Sequence, residues 1–323
     1  MNWETLKSRL KAKPQARTGH FVMPSVVLDV QPEFVVGARL DASKGQVRRL
    51  AVRPLEAGAL EPLPNRPNLA KPEVVRQAIG EVLGAIGAGR GKVGILLPDS
   101  SVRVAILRFE TMPRHHEEAD ALVRWKMSGF LSFPPEEARV SYQLLSHGGR
   151  SVELLAMAMR NSILAEYETM VESLAAGPVL ALPATAALLP LLPVAPSDGS
   201  QVLVHICSGS ITSVLTVGEG VSLWRNRLLE GHEANAEEEV AREIARVLAT
   251  CRDHLKREIE NIWMYVRPPA SRLSFEKEIK EATGKSAHFL AGAAARVTSL
   301  PTAEKTTLDG FGMTLAGLLE NRN

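Results

Sequence analysis

Short apolar, β-branched segments separated by turn residues occur in the same order in both halves of the chain. In the first half they are residues 25–30, 34–40 and 47–52. In the second half they are residues 202–206, 211–217 and 221–228. Each triplet predicts three consecutive strands, and an amphipathic helix follows each one. The first helix begins at Pro72, and the second begins at about residue 237 with inward apolar positions as far as Ile259. This repetition predicts a duplicated, two-lobed α/β fold.

A different pattern lies between the halves. Strands are predicted at 102–109, 140–145 and 152–159, with one helix after the first strand and another after the third. We therefore expect an α+β subdomain inserted into the first lobe. The expected limits are a tail at 1–23, a first lobe at 24–100 and 178–196, the insertion at 101–177 and a second lobe at 197–323.

The stretch from Ser173 to Ser197 carries no charged residue and is long enough to suggest a membrane span. Five prolines interrupt it, and each removes a backbone hydrogen bond that lipid cannot replace. We expect a helix end and a loop packed inside the protein. The N-terminal stretch lacks an apolar core typical of signal peptides, but Trp3, Leu6 and Leu10 would share one side of a short basic helix. That helix could touch anionic lipid or be a solvated tail.

Composition narrows the possible partners. The chain has 323 residues, 45% of them hydrophobic, and a formal net charge of +2, so no overall field attracts nucleic acid. Cys207 and Cys251 are far apart and have no metal-ligand spacing, so neither a disulfide framework nor a metal site is expected. His115 and His116 precede two glutamates, but adjacent positions point around a helix, which favours a solvated helix start.

Four segments carry a resemblance to a known family: 111–145, 152–192, 223–254 and 311–320. The segment TMPRHHEEADALVRWKMSGFLSFPPEEARVSYQLL (111–145) resembles the start of the inserted subdomain in the PilM family of type IV pilus assembly proteins. That family is related to FtsA and to the actin-like domain of type II secretion protein L. The resemblance implies an actin-like, ribonuclease H-like, duplicated two-lobe fold with an inserted α+β subdomain.

The resemblance also implies three nucleotide-binding loops, and none is intact here. In the first, Asp29 is kept, but Gln31 replaces the glycine, Pro32 removes an amide donor and Glu33 adds a negative charge. In the second, Ser208, Gly209 and Ser210 remain, but His205 stands in place of the metal-holding aspartate. The third has Val-Arg-Pro-Pro at 266–269 in place of a Gly-Gly pair.

We therefore expect a pseudo-ATPase with no catalytic residues and no bound cofactor. Its vestigial nucleotide-site residues would be Asp29, Ser208, Gly209 and Ser210. The alternative is an ATPase that binds ATP and magnesium and polymerises or switches with nucleotide; a sugar-kinase-like enzyme is a third option. A His205–Cys207 nucleophilic dyad would need an orienting group that the sequence does not offer, so a packed core cysteine is favoured.

The partner that the resemblance implies is a PilN-like inner-membrane protein. Its cytoplasmic N-terminal peptide would dock in the groove between the first lobe and the insertion. The candidate contact residues are Trp125, Phe130, Phe133 and Tyr142. Pilus motor or alignment-complex proteins and a second copy of the chain are further expected partners, and the expected location is the cytoplasmic face of the inner membrane.

Overall fold

The computed structural model describes residues 24–41, 43–148, 151–174, 176–207, 209–218, 220–229, 236–269, 272–290 and 300–320. The predicted tail at 1–23 and Ser208 lie outside these residues. The strands are β1 (Val26–Gln31), β2 (Phe34–Asp41), β3 (Gln46–Pro54), β4 (Gly91–Leu97), β5 (Arg103–Phe109), β6 (Ala138–Gly148), β7 (Ser151–Arg160), β8 (Ala176–Pro183), β9 (Ser200–Cys207), β10 (Ser210–Val217), β11 (Gly220–Leu228), β12 (Asn261–Arg267) and β13 (Ala287–Phe289). The α-helices are α1 (Pro72–Ala85), α2 (His116–Met127), α3 (Asn161–Glu172), α4 (Ala236–Thr250), α5 (Arg272–Thr283), α6 (Thr302–Thr307) and α7 (Met313–Glu320).

Two five-stranded sheets with the same plan form the two lobes. The first has the order β3-β2-β1-β4-β8 and the second the order β11-β10-β9-β12-β13. In both sheets, three antiparallel strands are followed by two strands that run parallel to the first. The predicted meanders and their duplication are therefore confirmed. The central strands β1 and β9 are buried along their whole length, which explains why they are almost uninterrupted apolar runs.

Asp29 and His205 occupy matching places in the two sheets. Each lies two residues before the end of its strand, because Gln31 pairs with Phe34 at the first hairpin and Cys207 pairs with Ser210 at the second. The two polar residues are therefore brought to the same end of their sheets, where the lobes meet.

The inserted subdomain is a small sheet with the order β5-β7-β6. Helix α2 packs on one face of this sheet through Val123 and Met127. On the other face, Leu155 belongs to an apolar cluster that also contains Trp224 of the second lobe. The insertion therefore packs against both lobes.

Two elements differ from the prediction. The uncharged stretch forms the edge strand β8 and a 3-10 segment, Ala184–Leu191, where a helix end and a loop were expected. Strand β8 pairs in parallel with β4, and this pairing provides hydrogen-bond partners for the β8 backbone. The sequence of β8 alone does not indicate this partner. Helix α4 ends at Thr250, and a π-helical turn with a left-handed Lys256 (φ 54°) precedes Ile259, which was expected inside the helix.

The domain limits stay a prediction, but the packing of α3 bears on them. Its buried residues Ile163, Tyr167 and Val171 belong to the core of the first lobe, together with Ile79 and Val82 of α1. This packing favours an insertion made of β5 to β7, with α3 and β8 returning to the first lobe. Among the described residues, no helix is long and apolar enough to cross a membrane.

Helix α7 crosses back to the first lobe and packs closely on the Ala184–Leu191 segment. The approach is closest at Gly317, where a Cβ atom would lie 1.8 Å from the backbone oxygen of Ala187. Only a residue without a side chain fits between these two backbones.

Candidate functional site

The end of β1 carries a buried carboxylate whose two oxygens are both hydrogen-bonded. Gln31 Nε2 donates to Asp29 Oδ1 at 2.6 Å, and Thr314 Oγ1 on α7 donates to Asp29 Oδ2 at 2.5 Å. Arg267, the last residue of β12 in the second lobe, places Nη1 2.5 Å from the same Oδ2. Asp29 and Arg267 are both fully buried, so the lobes share an ion pair shielded from water.

A second buried carboxylate lies just after β4. Asp99 accepts hydrogen bonds from the Thr185 backbone N–H (3.0 Å) and from Thr185 Oγ1 (2.5 Å), both within the first lobe. From the second lobe, Thr212 Oγ1 donates at 3.1 Å and His205 Nδ1 lies 3.1 Å away. These donors come from strands β9 and β10 and from the Ala184–Leu191 segment, so Asp99 joins the lobes at a second point.

Arg267 connects the two carboxylates through His205. Its Nε donates to His205 Nε2 at 3.2 Å, and its guanidinium also lies over the rings of Phe34 and Tyr265 at 5.2 and 5.4 Å. Since Arg267 can only donate, His205 Nε2 must carry the lone pair and Nδ1 the proton. The result is a continuous path, Asp99–His205–Arg267–Asp29, which we call the interlobe cluster.

The pKa values agree with this tautomer. Burial lowers the pKa of His205, the hydrogen bond with Asp99 opposes that shift, and the Arg267 charge adds to the lowering. Burial alone would raise the pKa of Asp99, but the hydrogen bonds from His205 and Thr185 hold it below its usual value. The Nδ1–H of a neutral His205 therefore points at Thr185 Oγ1 (2.7 Å) and at Asp99 Oδ2 (3.1 Å).

The other predicted vestigial residues lie at the second hairpin. Gly209 is exposed with a left-handed φ of 71°, which the turn requires, and Ser210 Oγ donates to the backbone oxygen of Cys207 at 2.9 Å. The Ser210 hydroxyl thus closes its own turn. Cys207 is buried, as expected of a core cysteine.

The orienting group that was not expected for His205 is present as Asp99. It does not make a nucleophilic pair, because the Nε2 lone pair that would take a proton is already engaged by Arg267. His116 contacts Asp120 on the exposed surface of α2. Among the residues that the structure describes, no three His, Cys, Asp or Glu side chains are grouped to hold a metal ion.

A small apolar cavity of about 60 Å³ lies between the first lobe and the insertion. Its lining comes from both units: Leu97, Val102, Leu164, Ala181, Pro183 and, from β6 and β7, Arg139, Ser141 and Met157–Met159. The edge strand β8 forms one side of it, so backbone groups lie beside the apolar lining. We call this region the insertion groove.

The four predicted contact residues do not line this cavity. Trp125 and Phe130 are exposed, by 70% and 51%, near the end of α2. Phe133 is buried, and the Tyr142 hydroxyl donates to Asp120 of α2 at 2.7 Å. Tyr142 packs in the apolar cluster under α2, so these residues belong to the α2 side of the inserted sheet. Their role in partner binding stays a prediction.

Solved structures with similar folds were found. A PilM–PilN type IV pilus biogenesis complex matches with a TM-score of 0.77 and 18% identity, covering 93% of this chain and 99% of that chain. A protein from Bacteroides thetaiotaomicron, described as having an actin-like ATPase fold and unknown function, matches with a TM-score of 0.54 and 10% identity, covering 92% and 95%. The chain has a PilM-like, actin-type ATPase fold. This confirms the expected fold class.

Sequence comparison adds no further assignment. No protein-family model matches the chain, and no curated protein sequence matches it. Within the PilM-like fold, the interlobe cluster is built from the first-loop Asp29, the second-loop His205 and the third-loop Arg267. All three loops that the resemblance associates with nucleotide therefore meet in one buried cluster.

Sequence reasoning missed half of the interlobe cluster. Asp99 was not singled out, nor was Thr185, which donates to it. Arg267 was noted only as part of the third loop, which lacks the glycine pair. A signal was available, because Asp29, His205 and Arg267 each interrupt or end an otherwise apolar strand. A charged side chain in such a strand needs a buried partner.

Proposed function

We propose that this protein is a non-catalytic scaffold of a type IV pilus or related secretion assembly. It would bind the cytoplasmic N-terminal peptide of a PilN-like inner-membrane protein and lie at the cytoplasmic face of that membrane. The observation that carries the proposal is the likeness to the PilM–PilN complex over almost the full length of both chains. Motor or alignment-complex partners and self-association remain expectations from the family resemblance.

The interlobe cluster supports a scaffold without nucleotide. A hydrated magnesium ion needs free carboxylate oxygens, and both oxygens of Asp29 are already engaged. The Arg267 guanidinium would also repel the cation, and Gln31 stands where a phosphate loop needs a bare backbone. Magnesium-ATP does not fit this set of residues.

Calorimetric titration with magnesium-ATP tests this part of the proposal. We expect no measurable heat and no shift in melting temperature at millimolar nucleotide. A ligand at 100 times its Kd would stabilise the protein by about 2.7 kcal/mol, which thermal unfolding detects easily. Micromolar binding would instead favour the alternative, a nucleotide-switched ATPase.

The insertion groove supports peptide capture. Its cavity is lined by apolar side chains, including the adaptable Met157 and Met159, and Arg139 adds a positive charge at its side. Strand β8 is the edge of its sheet, so an extended peptide could pair with its backbone while placing alternate side chains in the cavity. These are the features that extended-peptide sites combine.

A substitution in the groove tests where the peptide binds. The exposed Ser141 lines the cavity, and Ser141→Trp should fill the groove without disturbing the strand, since tryptophan is well tolerated there. We expect about a tenfold or greater rise in the Kd for the N-terminal peptide of the PilN-like protein from the same genome, measured by fluorescence anisotropy.

The matched control is Gln143→Trp, two residues along the same strand, which is exposed and does not line the cavity. Its Kd should stay within about threefold of the unmodified chain. Trp125→Ala and Phe130→Ala, in the same assay, report on the α2 surface. A large loss of peptide affinity in these two variants, together with unchanged affinity in Ser141→Trp, would place the peptide site on the α2 surface instead.

A further inference from the structure

We infer that the interlobe cluster is a built-in latch that holds the two lobes in one closed arrangement, with Arg267 acting as the bridging cation. The inference rests on the part of the proposed function that excludes nucleotide. It makes no use of the partner peptide, and its test measures lobe separation, so the latch and peptide binding can fail separately.

Beside the apolar packing that the lobes share, several polar contacts between them meet in this cluster, in the part of the chain that the structure describes. Arg267 bridges to Asp29, and His205 and Thr212 bridge to Asp99. The hairpin ends also touch, because Cys207 Sγ lies 3.6 Å from Gln31 Oε1. Each contact joins a strand of the second lobe to the first lobe, so separating the lobes would break all of them together.

The C-terminal part of the chain closes the cluster from a third direction. Thr314 of α7 donates to the Asp29 oxygen that Arg267 also contacts, and the Phe311 backbone oxygen accepts from Arg267 Nη1 at 3.3 Å. Helix α7 itself packs on the first lobe. The guanidinium is therefore enclosed by both lobes and by the crossing helix.

Burial makes the arrangement sensitive to single changes. A buried ion pair contributes little net stability, because burying its charges costs about as much as their attraction returns. Removing one partner is different, since it leaves the other charge buried alone. That charge regains water if the lobes separate, so a single substitution should drive opening. A double substitution removes the bridge without leaving a lone charge, so it should open the lobes less than either single substitution does.

The test measures the distance between the lobes by pulsed electron spin resonance. Spin labels at Gln77→Cys on α1 and Lys277→Cys on α5 report on the first and second lobes, and both positions are exposed. Cys207 and Cys251 are buried and should not be labelled. The unsubstituted cluster should give one narrow distance distribution, with an open population of at most about 10%, and added magnesium-ATP should not change it.

Arg267→Met or Asp29→Asn should broaden the distribution toward longer distances and bring the open population to about half or more, a roughly tenfold change in the open-to-closed ratio. The double variant Asp29→Asn/Arg267→Met should give an open population between those of the unsubstituted protein and the single variants, because it lacks the bridge but leaves no lone buried charge. A residue that only supported global folding would lower the melting temperature without this pattern in the distances.

Asp29→Asn keeps the shape of the side chain, so it provides the test even if Arg267→Met does not fold. Single variants that fold and keep the narrow closed distribution would overturn the latch. So would a broad distribution in the unsubstituted protein that magnesium-ATP narrows, because nucleotide would then supply the bridge.

Discussion

Gly317→Ala is expected to destabilise the protein by about 3 kcal/mol or more, at the upper end of overpacking effects. The new Cβ would lie 1.8 Å from the backbone oxygen of Ala187 and 3.0 Å from its carbonyl carbon. A flexible side chain could turn away from such a contact, but a backbone carbonyl can move only if α7 shifts. Because α7 also carries Thr314, that shift would loosen the contact with Asp29.

A comparison of the free energies of urea unfolding of the Gly317→Ala and Gly84→Ala variants checks this prediction. Gly84 is also in a helix, α1, and a Cβ there would meet no atom within 4 Å. Alanine at that position should be neutral or stabilising by about 0.5–1 kcal/mol, since it restricts the unfolded chain. Equal effects of the two substitutions would show that helix propensity, and not the close approach, sets the result.

Acidification is expected to weaken the fold below about pH 6.5, the ordinary pKa of histidine. Burial lowers the pKa of His205 in the folded protein, so the unfolded chain takes up a proton first. The contribution of His205 is complete above pH 6.5 and is lost as the pH falls toward its folded pKa. The slope is about 1.4 kcal/mol per pH unit for one proton.

The test measures the free energy of unfolding from about pH 7.5 to about pH 4.5, a range around the ordinary pKa of histidine. It compares the natural chain with the variants His205→Gln and His254→Gln. His205→Gln should lose most of the slope in this window, whereas the exposed His254 should not matter. An unchanged slope in His205→Gln would contradict a buried neutral imidazole. Asp99 acts in the same direction at lower pH, because its pKa lies below the usual value.

The strand and helix pattern could be predicted from the sequence because it depends on local periodicity. The hairpins whose first strands end at Gln31 and at Cys207 combine buried, β-branched strands with turn residues, and the structure contains both as predicted. Strand β8 could not be predicted this way, since its prolines and glycine argue against a strand. It forms because β4 offers a parallel partner about 85 residues away.

The departure of the three loops from the family pattern was visible in the sequence, but the contacts of their residues were not. Arg267 is 238 residues from Asp29, and Asp99 is 106 residues from His205. Contacts at such separations leave no periodic signal in one sequence. Each charged residue could be recognised as unusual in its strand, but its partner could be found only in the folded chain.

Asp29 and His205 occupy matching positions in the two sheets and both contact Arg267, so a change of charge at one position affects the partners of the other. An acid at position 205 would lie beside the Asp99 carboxylate and repel it, and removing Arg267 would leave Asp29 buried without its counter-ion. The duplicated fold therefore makes the charges of the two lobes interdependent, so a substitution at one of these positions should be tolerated better together with a compensating change at another.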